Sequence, residues 1–144
     1  MKYKTVIDPD GEELVIIRAT EYTDKIREIE RFLEADEIAE LVGYDGDSII
    51  PLDPSEVSAF ISEAGAVYAV VYGKRLLIKA RLYALEGRLG TRFVRINQSC
   101  IANISKIARF DASISGAFAV IFKDGYRDYI SRRRLKAVKE RIGF

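Results

Sequence analysis

The pattern of hydrophobic and polar positions changes near residue 46, from a mixture of strand and helix periods to mainly the period of strands. Before it, Tyr3–Ile7 and Glu13–Arg18 are typical of strands, and Asp10-Gly11 between them is typical of a tight turn. Thr23, a common helix-capping residue type, then precedes apolar residues at helical spacing. These apolar positions are Ile26, Ile29 and Leu33. We expect a small N-terminal extension of two strands and one helix.

After residue 46 the chain follows the period of strands. Turns that contain glycine or proline separate short apolar segments, which is the pattern of a β-rich domain. The predicted strands are 48–52, 58–62, 66–72, 75–80, 92–96, 101–102, 107–110, 118–122 and 127–130. A leucine-rich helix is predicted at 81–88 and a basic helix at about 132–141.

The fold class predicted from these elements is mainly β, and α+β overall. Gly43–Gly46 is rich in turn-forming residues and is the candidate boundary between two parts of the chain. We therefore predict an N-terminal strand–helix extension over residues 1–46 and a β-rich domain over residues 47–144.

Composition excludes several kinds of chemistry. The 144 residues contain no histidine, which removes Ser–His and Cys–His nucleophile pairs and most zinc sites. The single cysteine, Cys100, excludes an intrachain disulfide, and its apolar surroundings predict a plain buried thiol. Because glycine-rich phosphate-binding motifs are missing as well, we expect neither a cofactor nor enzymatic activity.

The sequence carries no targeting or membrane-spanning signal. No apolar run approaches the roughly 20 residues that a membrane helix needs. The N-terminal residues also lack the apolar stretch of a signal peptide. We therefore expect a protein of the cytoplasm.

The net charge of +1 conceals a strong polarity along the chain. Residues 1–56 carry 6 Lys/Arg against 16 Asp/Glu, a net charge of −10, whereas residues 57–90 carry +3 and residues 91–144 carry +8. A basic C-terminal part of this kind indicates a polyanionic partner such as nucleic acid. Charge clustering on solvated faces is the alternative that composition alone leaves open.

The stretch Arg92–Asn103 places polar side chains at a bend. A strand delivers Arg95, and Asn97, Gln98 and Ser99 follow it closely. Amide side chains suit adenine, and a serine hydroxyl can bond either a base edge or a phosphate. A polar turn satisfied by its own backbone is the alternative interpretation.

The stretch Tyr129–Lys136 concentrates positive charge at a predicted strand-to-helix junction. Ser131 can cap the helix, which then begins with Arg132, Arg133 and Arg134. Arginines at a helix start oppose the helix dipole, and this cost is easier to understand if a phosphate or a base completes the site. Because successive helix residues point in different directions, we expect two of the three arginines to contact DNA.

Taken together, the polar turn, the basic junction and the leucine-rich helix resemble the LytTR family of DNA-binding domains. The resemblance covers about residues 48–144 and preserves both order and spacing. The matching residues are Leu82, Leu85, Leu89, Phe93–Ser99, Ile101, Asn103, Ile107, Gly116, Lys123–Gly125, Tyr129–Arg133, Ile142 and Gly143. Ile16–Arg18 and Tyr22–Asp24 are similar to the N-terminal segment of a stand-alone subgroup that lacks a receiver domain.

The resemblance implies a sequence-specific regulator of transcription that binds double-stranded DNA. In this family an elongated β-rich domain, rather than a helix-turn-helix, lays its loops into successive major grooves and bends the DNA. The sites are paired repeats occupied by two copies, which implies a homodimer at least on DNA. The gene of a subgroup member often neighbours one for a small membrane protein, which implies a membrane-protein partner.

The resemblance also implies roles by position. Major-groove contacts fall on the loop Glu63–Ala66 and on Arg132 or Arg133, the choice between them being open. Tyr129 and Lys136 fall near phosphates. The DNA-binding residues predicted in this way are Glu63, Gly65, Ala66, Arg95, Asn97, Gln98, Ser99, Tyr129, Ser131, Arg132, Arg133, Arg134 and Lys136.

Two positions depart from the family pattern. Asn97 stands where many members carry histidine, and Gly65 stands where many carry a basic or amide residue. The first loop is therefore expected to contact only the DNA backbone, and half-site specificity is expected to depend on Arg132–Arg134.

A protein-interaction module is the competing function. The acidic residues 1–56, with their Glu-rich helix, would then dock on a membrane or signalling partner, and DNA binding would be secondary or lost. The two functions are compatible, because the acidic part can sense a signal while the basic part binds DNA.

Overall fold

The computed structural model describes residues 2–12, 14–35, 41–112 and 116–144. Within these ranges it contains three α-helices and ten strands. The helices are α1 (Asp24–Ala35), α2 (Leu82–Arg88) and α3 (Arg132–Ile142). The strands are β1 (Val42–Asp45), β2 (Ser48–Pro51), β3 (Val57–Glu63), β4 (Ala66–Val71), β5 (Lys74–Ile78), β6 (Phe93–Asn97), β7 (Cys100–Asn103), β8 (Ile107–Ala112), β9 (Phe118–Phe122) and β10 (Arg127–Ile130). The predicted fold class, mainly β and α+β overall, is confirmed.

The strands form two antiparallel sheets. Seven of them make one sheet in the order β2-β1-β5-β4-β3-β7-β6, and β10-β9-β8 make the other. Two-residue turns at Ala64-Gly65 and Tyr72-Gly73 connect β3 to β4 and β4 to β5, with positive φ at all four residues. This turn geometry has the twist that hairpin strands require, so the turns fix the register of the three strands.

The larger sheet buries both of its faces. Phe60 of β3 packs with Leu85 of α2 on one face. Ile61, the next residue of β3, packs on the opposite face with Phe122 of β9 and Val138 of α3. Successive strand residues alternate between faces, and β3 is buried continuously from Val57 to Ile61, so its sheet forms a central layer.

A single carboxylate joins the two sheets at one end. Asp124, in the turn between β9 and β10, accepts hydrogen bonds from the Ser58 hydroxyl (2.7 Å), the Gly73 N–H (3.1 Å) and the Tyr126 N–H (3.0 Å). Burial by itself would raise the pKa of Asp124, but these hydrogen bonds outweigh it and hold the pKa below its ordinary value. The charged form of Asp124 therefore stabilises the relative position of the two sheets.

The N-terminal residues differ from the strand prediction. A turn forms where expected, with Asp8 Oδ1 accepting the Asp10 N–H (3.2 Å) and the Asp8 carbonyl accepting the Gly11 N–H (3.1 Å). Residues 2–8 and 14–19 nevertheless form no strand, so the predictions Tyr3–Ile7 and Glu13–Arg18 are wrong over their described residues. Glu13 itself lies outside the described residues. An isolated hairpin is only marginally stable in water, and none of the described strands pairs with residues 3–18 to support one.

Helix α1 forms as predicted, whereas the turn-rich break predicted at Gly43–Gly46 is largely a strand. The Ile26 N–H donates to Thr23 Oγ1 at 3.3 Å, and α1 begins at Asp24. Gly43 belongs to β1 rather than to a turn-rich break, and a Cβ there would lie 2.8 Å from the Leu76 Cβ. Glycine thus permits a close approach of β1 to β5. β1 pairs with β2 across residues 46 and 47, and a division into two parts at that point stays a prediction.

None of the helices within the described ranges is long and apolar enough to cross a bilayer.

Candidate nucleic-acid interface

Two turns that are far apart in sequence lie side by side at one end of the larger sheet. β3 leads into the Ala64-Gly65 turn, and β6 and β7 meet at the Gln98-Ser99 turn. The turns share this end of the sheet because Ile61 of β3 pairs with Cys100 of β7. The Ser62 N–H donates to the Ser99 carbonyl at 2.8 Å, so the backbone joins the two turns directly.

The junction between β10 and α3 lies next to them, on the outer edge of β6. The Ser131 N–H donates to the Ile96 carbonyl at 2.9 Å. The Asn97 amide donates to the Tyr129 carbonyl at 2.8 Å. We call the resulting series of three segments, residues 63–66, 97–99 and 129–133, the turn row. All three stretches singled out in the sequence are thus brought together.

Asn97 holds the turn row together from inside. It is 1% exposed, and its amide donates to Asp128 Oδ1 (2.8 Å) as well as to the Tyr129 carbonyl. Its Oδ1 accepts the Ser99 N–H at 2.8 Å. A direct contact of Asn97 with DNA stays a prediction, and in this structure the side chain is buried and its polar atoms are engaged within the chain.

Arg95 is likewise engaged within the chain. Its guanidinium donates to the Asn97 carbonyl (2.8 Å) and to the Gln98 carbonyl, and it forms an ion pair with Glu86 at 2.9 Å. Only 13% of the Arg95 side chain is exposed. A direct DNA contact by Arg95 likewise stays a prediction, and in this structure the residue supports the Gln98-Ser99 turn from behind and is paired with a carboxylate.

Two residues missed in the sequence complete this network. Asp128 Oδ2 accepts the Tyr126 hydroxyl at 2.6 Å, and Asp128 Oδ1 accepts the Tyr129 N–H at 2.8 Å. Burial and the hydrogen bond to Asp128 raise the pKa of Tyr126 well above its usual range, so its hydroxyl stays a neutral donor. Asp128 lies in the predicted strand 127–130, but the strand pattern does not name the partners of its side chain.

The exposed polar side chains of this end come from the turn row and the start of α3. They are Gln98, Ser99, Tyr129, Arg132, Arg133 and Lys136. Arg132 and Lys136 are four residues apart and so lie on one face of the helix. Among the described residues, no carboxylate forms an ion pair with Arg133 or Lys136. Their charges are therefore available to an external anion.

Ser131 and Arg134 differ from the other polar residues of this junction. Ser131 is the N-cap residue of α3, but its side chain makes no capping hydrogen bond, which corrects the expected hydroxyl cap. Its carbonyl accepts the Arg134 N–H at 3.0 Å instead. Arg134 is half-buried and lines a cleft on the α2 side of α3, away from the exposed face that carries Arg132.

The Ala64-Gly65 turn presents mostly backbone. Glu63 is exposed and forms an ion pair with Arg75, and Ala66 is half-buried. Gly65 is exposed, with no atom within 4 Å of the position that a Cβ would take. The tip of this turn therefore has few side-chain atoms with which to read a base.

Cys100 lies behind the turn row and belongs to the core. It is fully buried, and burial raises the pKa of its thiol well above the usual value. The prediction of a plain buried thiol is confirmed.

The chain matches a family model over most of its length. The LytTR model, described as the LytTr DNA-binding domain, matches residues 47–143. A solved LytTr DNA-binding domain, from a protein of Bacillus cereus described as a methyl-accepting/DNA response regulator, superposes with a TM-score of 0.68 and 21% identity. That alignment covers 72% of this chain and 95% of the solved domain, and it shows a shared fold.

Curated relatives match over nearly the whole chain. Proteins of Staphylococcus aureus strains NCTC 8325 and N315 are 32% identical over 134 residues, which is 92% of this chain and 91% of theirs. Both are described as HTH-type transcriptional regulators. In the described part of this chain five strands separate α2 from α3, so these helices form no helix-turn-helix. The extent of the model match and of the identity to these relatives shows that the chain belongs to the LytTR family of DNA-binding domains.

Proposed function

We propose that this protein regulates transcription by binding double-stranded DNA with the turn row and the start of α3. The observation that carries this proposal is the convergence of three sequence-distant polar stretches at one end of the larger sheet, joined by hydrogen bonds from Ser62, Asn97 and Ser131. A family of DNA-binding domains and relatives described as transcriptional regulators support it.

The proposed contacts divide by chemistry. Gln98 and one of Arg132 and Arg133 read base edges, because amide and guanidinium groups form two bonds to adenine and guanine respectively. Ser99, Tyr129, Ser131 and Lys136 bind sugar and phosphate, which positions the protein without reading sequence. The Ala64-Gly65 turn meets the backbone of the DNA.

The first experiment selects bound duplexes from a random pool and then measures the affinity of the full chain by fluorescence anisotropy. The selected duplex should bind more tightly than a scrambled one, and log K should fall with log salt by about 0.9 for each phosphate contacted. Equal binding of selected and scrambled duplexes at moderate salt would refute the proposed sequence specificity.

Single substitutions identify which side chains contact bases and which contact phosphates. Gln98→Ala, and either Arg132→Ala or Arg133→Ala, should each cost about 1–3 kcal/mol against the selected duplex and relax the preference at one base position. The arginine that binds phosphate should instead weaken all duplexes alike and reduce the salt slope by about 1. Lys74→Ala is the control, since Lys74 is exposed at the opposite end of the larger sheet, beside Tyr72-Gly73.

We further propose that two copies bind paired repeat sites. The N-terminal segment favours a dimer, because several large apolar side chains lie exposed in it. They are Tyr3, Val6, Ile7, Leu14, Val15 and Ile16, which are 59–94% exposed. Their burial against a second copy would give the unpaired segment the partner that it lacks within the described chain.

The same segment supports the second candidate function. A membrane or signalling partner that covers these apolar residues and complements their acidic surroundings would make residues 1–56 a docking module. Capture of that partner should then depend on residues 1–43, and a pull-down that survives their deletion would contradict this function. A cytoplasmic location is part of both proposals.

A further inference from the structure

A second basic surface lies beside the turn row, in a cleft between α2 and α3. The cleft has a volume of about 460 Å³ and crosses the outer edge of β6. Four arginines line it: Arg88 of α2, Arg95 of β6, and Arg134 and Arg141 of α3. Among its described lining residues, Glu86 supplies the one carboxylate.

Positive charge in the cleft exceeds its internal compensation. Glu86 is engaged by Arg95, and Arg141 donates to the Thr91 carbonyl at 2.9 Å. No carboxylate of the described residues lies within ion-pair distance of Arg88 or Arg134. Because Arg134 is half-buried, its charge is partly removed from water without a counterion, which is unfavourable. An anion in the cleft would relieve this cost and the repulsion among the arginines.

A buried hydroxyl at the same place lacks a partner. Thr91 Oγ1 is buried and has no hydrogen-bond partner among the described residues. Buried polar side-chain atoms in native proteins nearly always have one. Since Thr91 also lines the cleft, rotation of its side chain about χ1 would turn the hydroxyl toward a ligand oxygen held there.

We propose that the cleft between α2 and α3 binds a phosphate group. Guanidinium groups match phosphate oxygens with paired hydrogen bonds, which no other common anion-binding side chain does as well. Arg95 connects this cleft to the turn row, because the same guanidinium donates to the Gln98 carbonyl. The phosphate comes either from the backbone of the bound DNA or from a free phosphorylated molecule, and only the first source rests on the proposed function.

Calorimetric titration of the full chain with inorganic pyrophosphate tests the free source. The wild-type protein should give a saturable heat, and the double variant Arg88→Gln/Arg134→Gln should bind at least about tenfold more weakly. Arg127→Gln is the matched control, because Arg127 is exposed at the end of β10 that lies away from the turn row. It removes one positive charge without touching the cleft, so the single variants Arg88→Gln and Arg134→Gln are compared with it charge for charge.

Anisotropy measurements with the selected duplex test the DNA source. If the cleft holds a DNA phosphate, the double variant should bind the duplex at least about tenfold more weakly than Arg127→Gln and lose about 1 in salt slope for each lost contact. If only a free phosphorylated molecule occupies the cleft, duplex affinity should match that of Arg127→Gln while pyrophosphate binding is lost. Should the chain bind no DNA, the pyrophosphate titration still decides the proposal.

The proposal is overturned if the double variant equals Arg127→Gln in both pyrophosphate binding and duplex affinity. Circular dichroism and the urea midpoint establish that the variants are folded. Should the double variant unfold, Arg88→Gln alone replaces it, because Arg88 is exposed and its loss has little effect on packing.

Discussion

Asn97 illustrates how a polar residue in a recognition turn acts without meeting the ligand. Its side-chain amide and carbonyl groups bond Asp128, Tyr129 and Ser99, of which Tyr129 and Ser99 belong to two segments of the turn row. Gln98, the next residue, is exposed and free to face DNA. Within one turn, Asn97 thus positions the backbone while Gln98 presents its side chain to solvent.

Asn97→Ala is therefore expected to lower the free energy of unfolding. It removes one of the hydrogen bonds to the Asp128 carboxylate and leaves the Tyr129 carbonyl and the Ser99 N–H without their Asn97 partner, which should cost about 2–4 kcal/mol. Urea unfolding followed by circular dichroism measures this cost. Gln98→Ala is the control and should change stability by less than about 0.5 kcal/mol while weakening DNA binding. The opposite pattern, with a stable Asn97→Ala protein, would contradict the positioning role.

At the residue scale, the sequence singled out turns that the structure brings together, but not the directions of their side chains. The concentration of polar residues at 97–99 marked one of these turns. It could not show that Asn97 and Arg95 face inward, because their partners Asp128 and Glu86 lie in other elements. Side-chain direction at a bend depends on which elements surround it, and local pattern does not contain that information.

At the scale of elements, the turn of the β3–β4 hairpin imposes a backbone conformation that suits only one of its two residues. Its two turn residues, Ala64 and Gly65, have φ of 50° and 80°. Glycine adopts this left-handed region freely, whereas alanine does so at a cost of about 1–2 kcal/mol. The turn therefore holds one suitable residue and one strained residue.

Opposite substitutions at this turn should have opposite effects. Ala64→Asn gives the Asn-Gly pair that this turn type prefers and should raise the free energy of unfolding by about 0.5–1 kcal/mol. Gly65→Ala should lower it by about 1 kcal/mol, although its Cβ would meet no atom within 4 Å. Thermal and urea unfolding of both variants check this, and equal shifts in one direction would exclude backbone strain as the cause.

Asp124 lies at the end of the sheets opposite the turn row, and it should make the stability of the protein depend on pH. Its pKa in the folded state lies below the unfolded value of about 3.9, because hydrogen bonds from Ser58, Tyr126 and Gly73 favour the charged form. The stabilisation is thus present above that value and is lost as the pH falls through the folded pKa. Asp124→Asn should cost about 1–3 kcal/mol at neutral pH, with the difference from wild type shrinking below about pH 4.

Urea unfolding at pH 7 and at about pH 3.5 measures the cost of Asp124→Asn at neutral pH and its decrease in acid. Asp111→Asn is the control, since Asp111 is 46% exposed and its pair with Arg109 should contribute at most about 1 kcal/mol. A difference between wild type and Asp124→Asn that stays constant down to pH 3 or so would show that the carboxylate charge is not responsible.

Strand periodicity predicted the elements from Ser48 onward, but it failed twice before that point. The expected strands within residues 3–18 have the right pattern and no sheet to join. Val42–Asp45 has a turn-like sequence and is a strand, because β2 and β5 supply hydrogen bonds on both sides. In both cases the presence or absence of a neighbour outweighed local preference.

At the scale of the whole molecule, acidic and basic parts have different structural roles. Residues 1–56 carry a net charge of −10 and include the exposed apolar segment, whereas residues 91–144 carry +8 and include most of the turn row. With DNA bound as we propose, repulsion would keep the acidic part away from the phosphates and leave it accessible to another protein. Dimerisation and DNA binding are therefore expected to be separable.

Deletion of residues 1–21 tests that separation. These residues contain no regular secondary structure over their described part. The free energy of unfolding, measured with urea, should therefore stay within about 0.5 kcal/mol of that of the full chain. Light scattering on DNA-free and DNA-bound samples should show two copies only for the full chain, while affinity for a single half-site is retained. A truncated chain that still dimerises would place the dimer interface outside this segment.

The sequence by itself determined the β-rich class, the periods of most strands and helices, the family, and the three stretches that form the turn row. These properties depend on local spacing and on residue type, which a linear pattern records. Only the tertiary structure decided that Asn97 and Arg95 are internal, that Gly43 lies in a strand and that four arginines share one cleft. Each of these depends on contacts between residues distant in sequence, whose free energy exists only once the sheets have formed and excluded water.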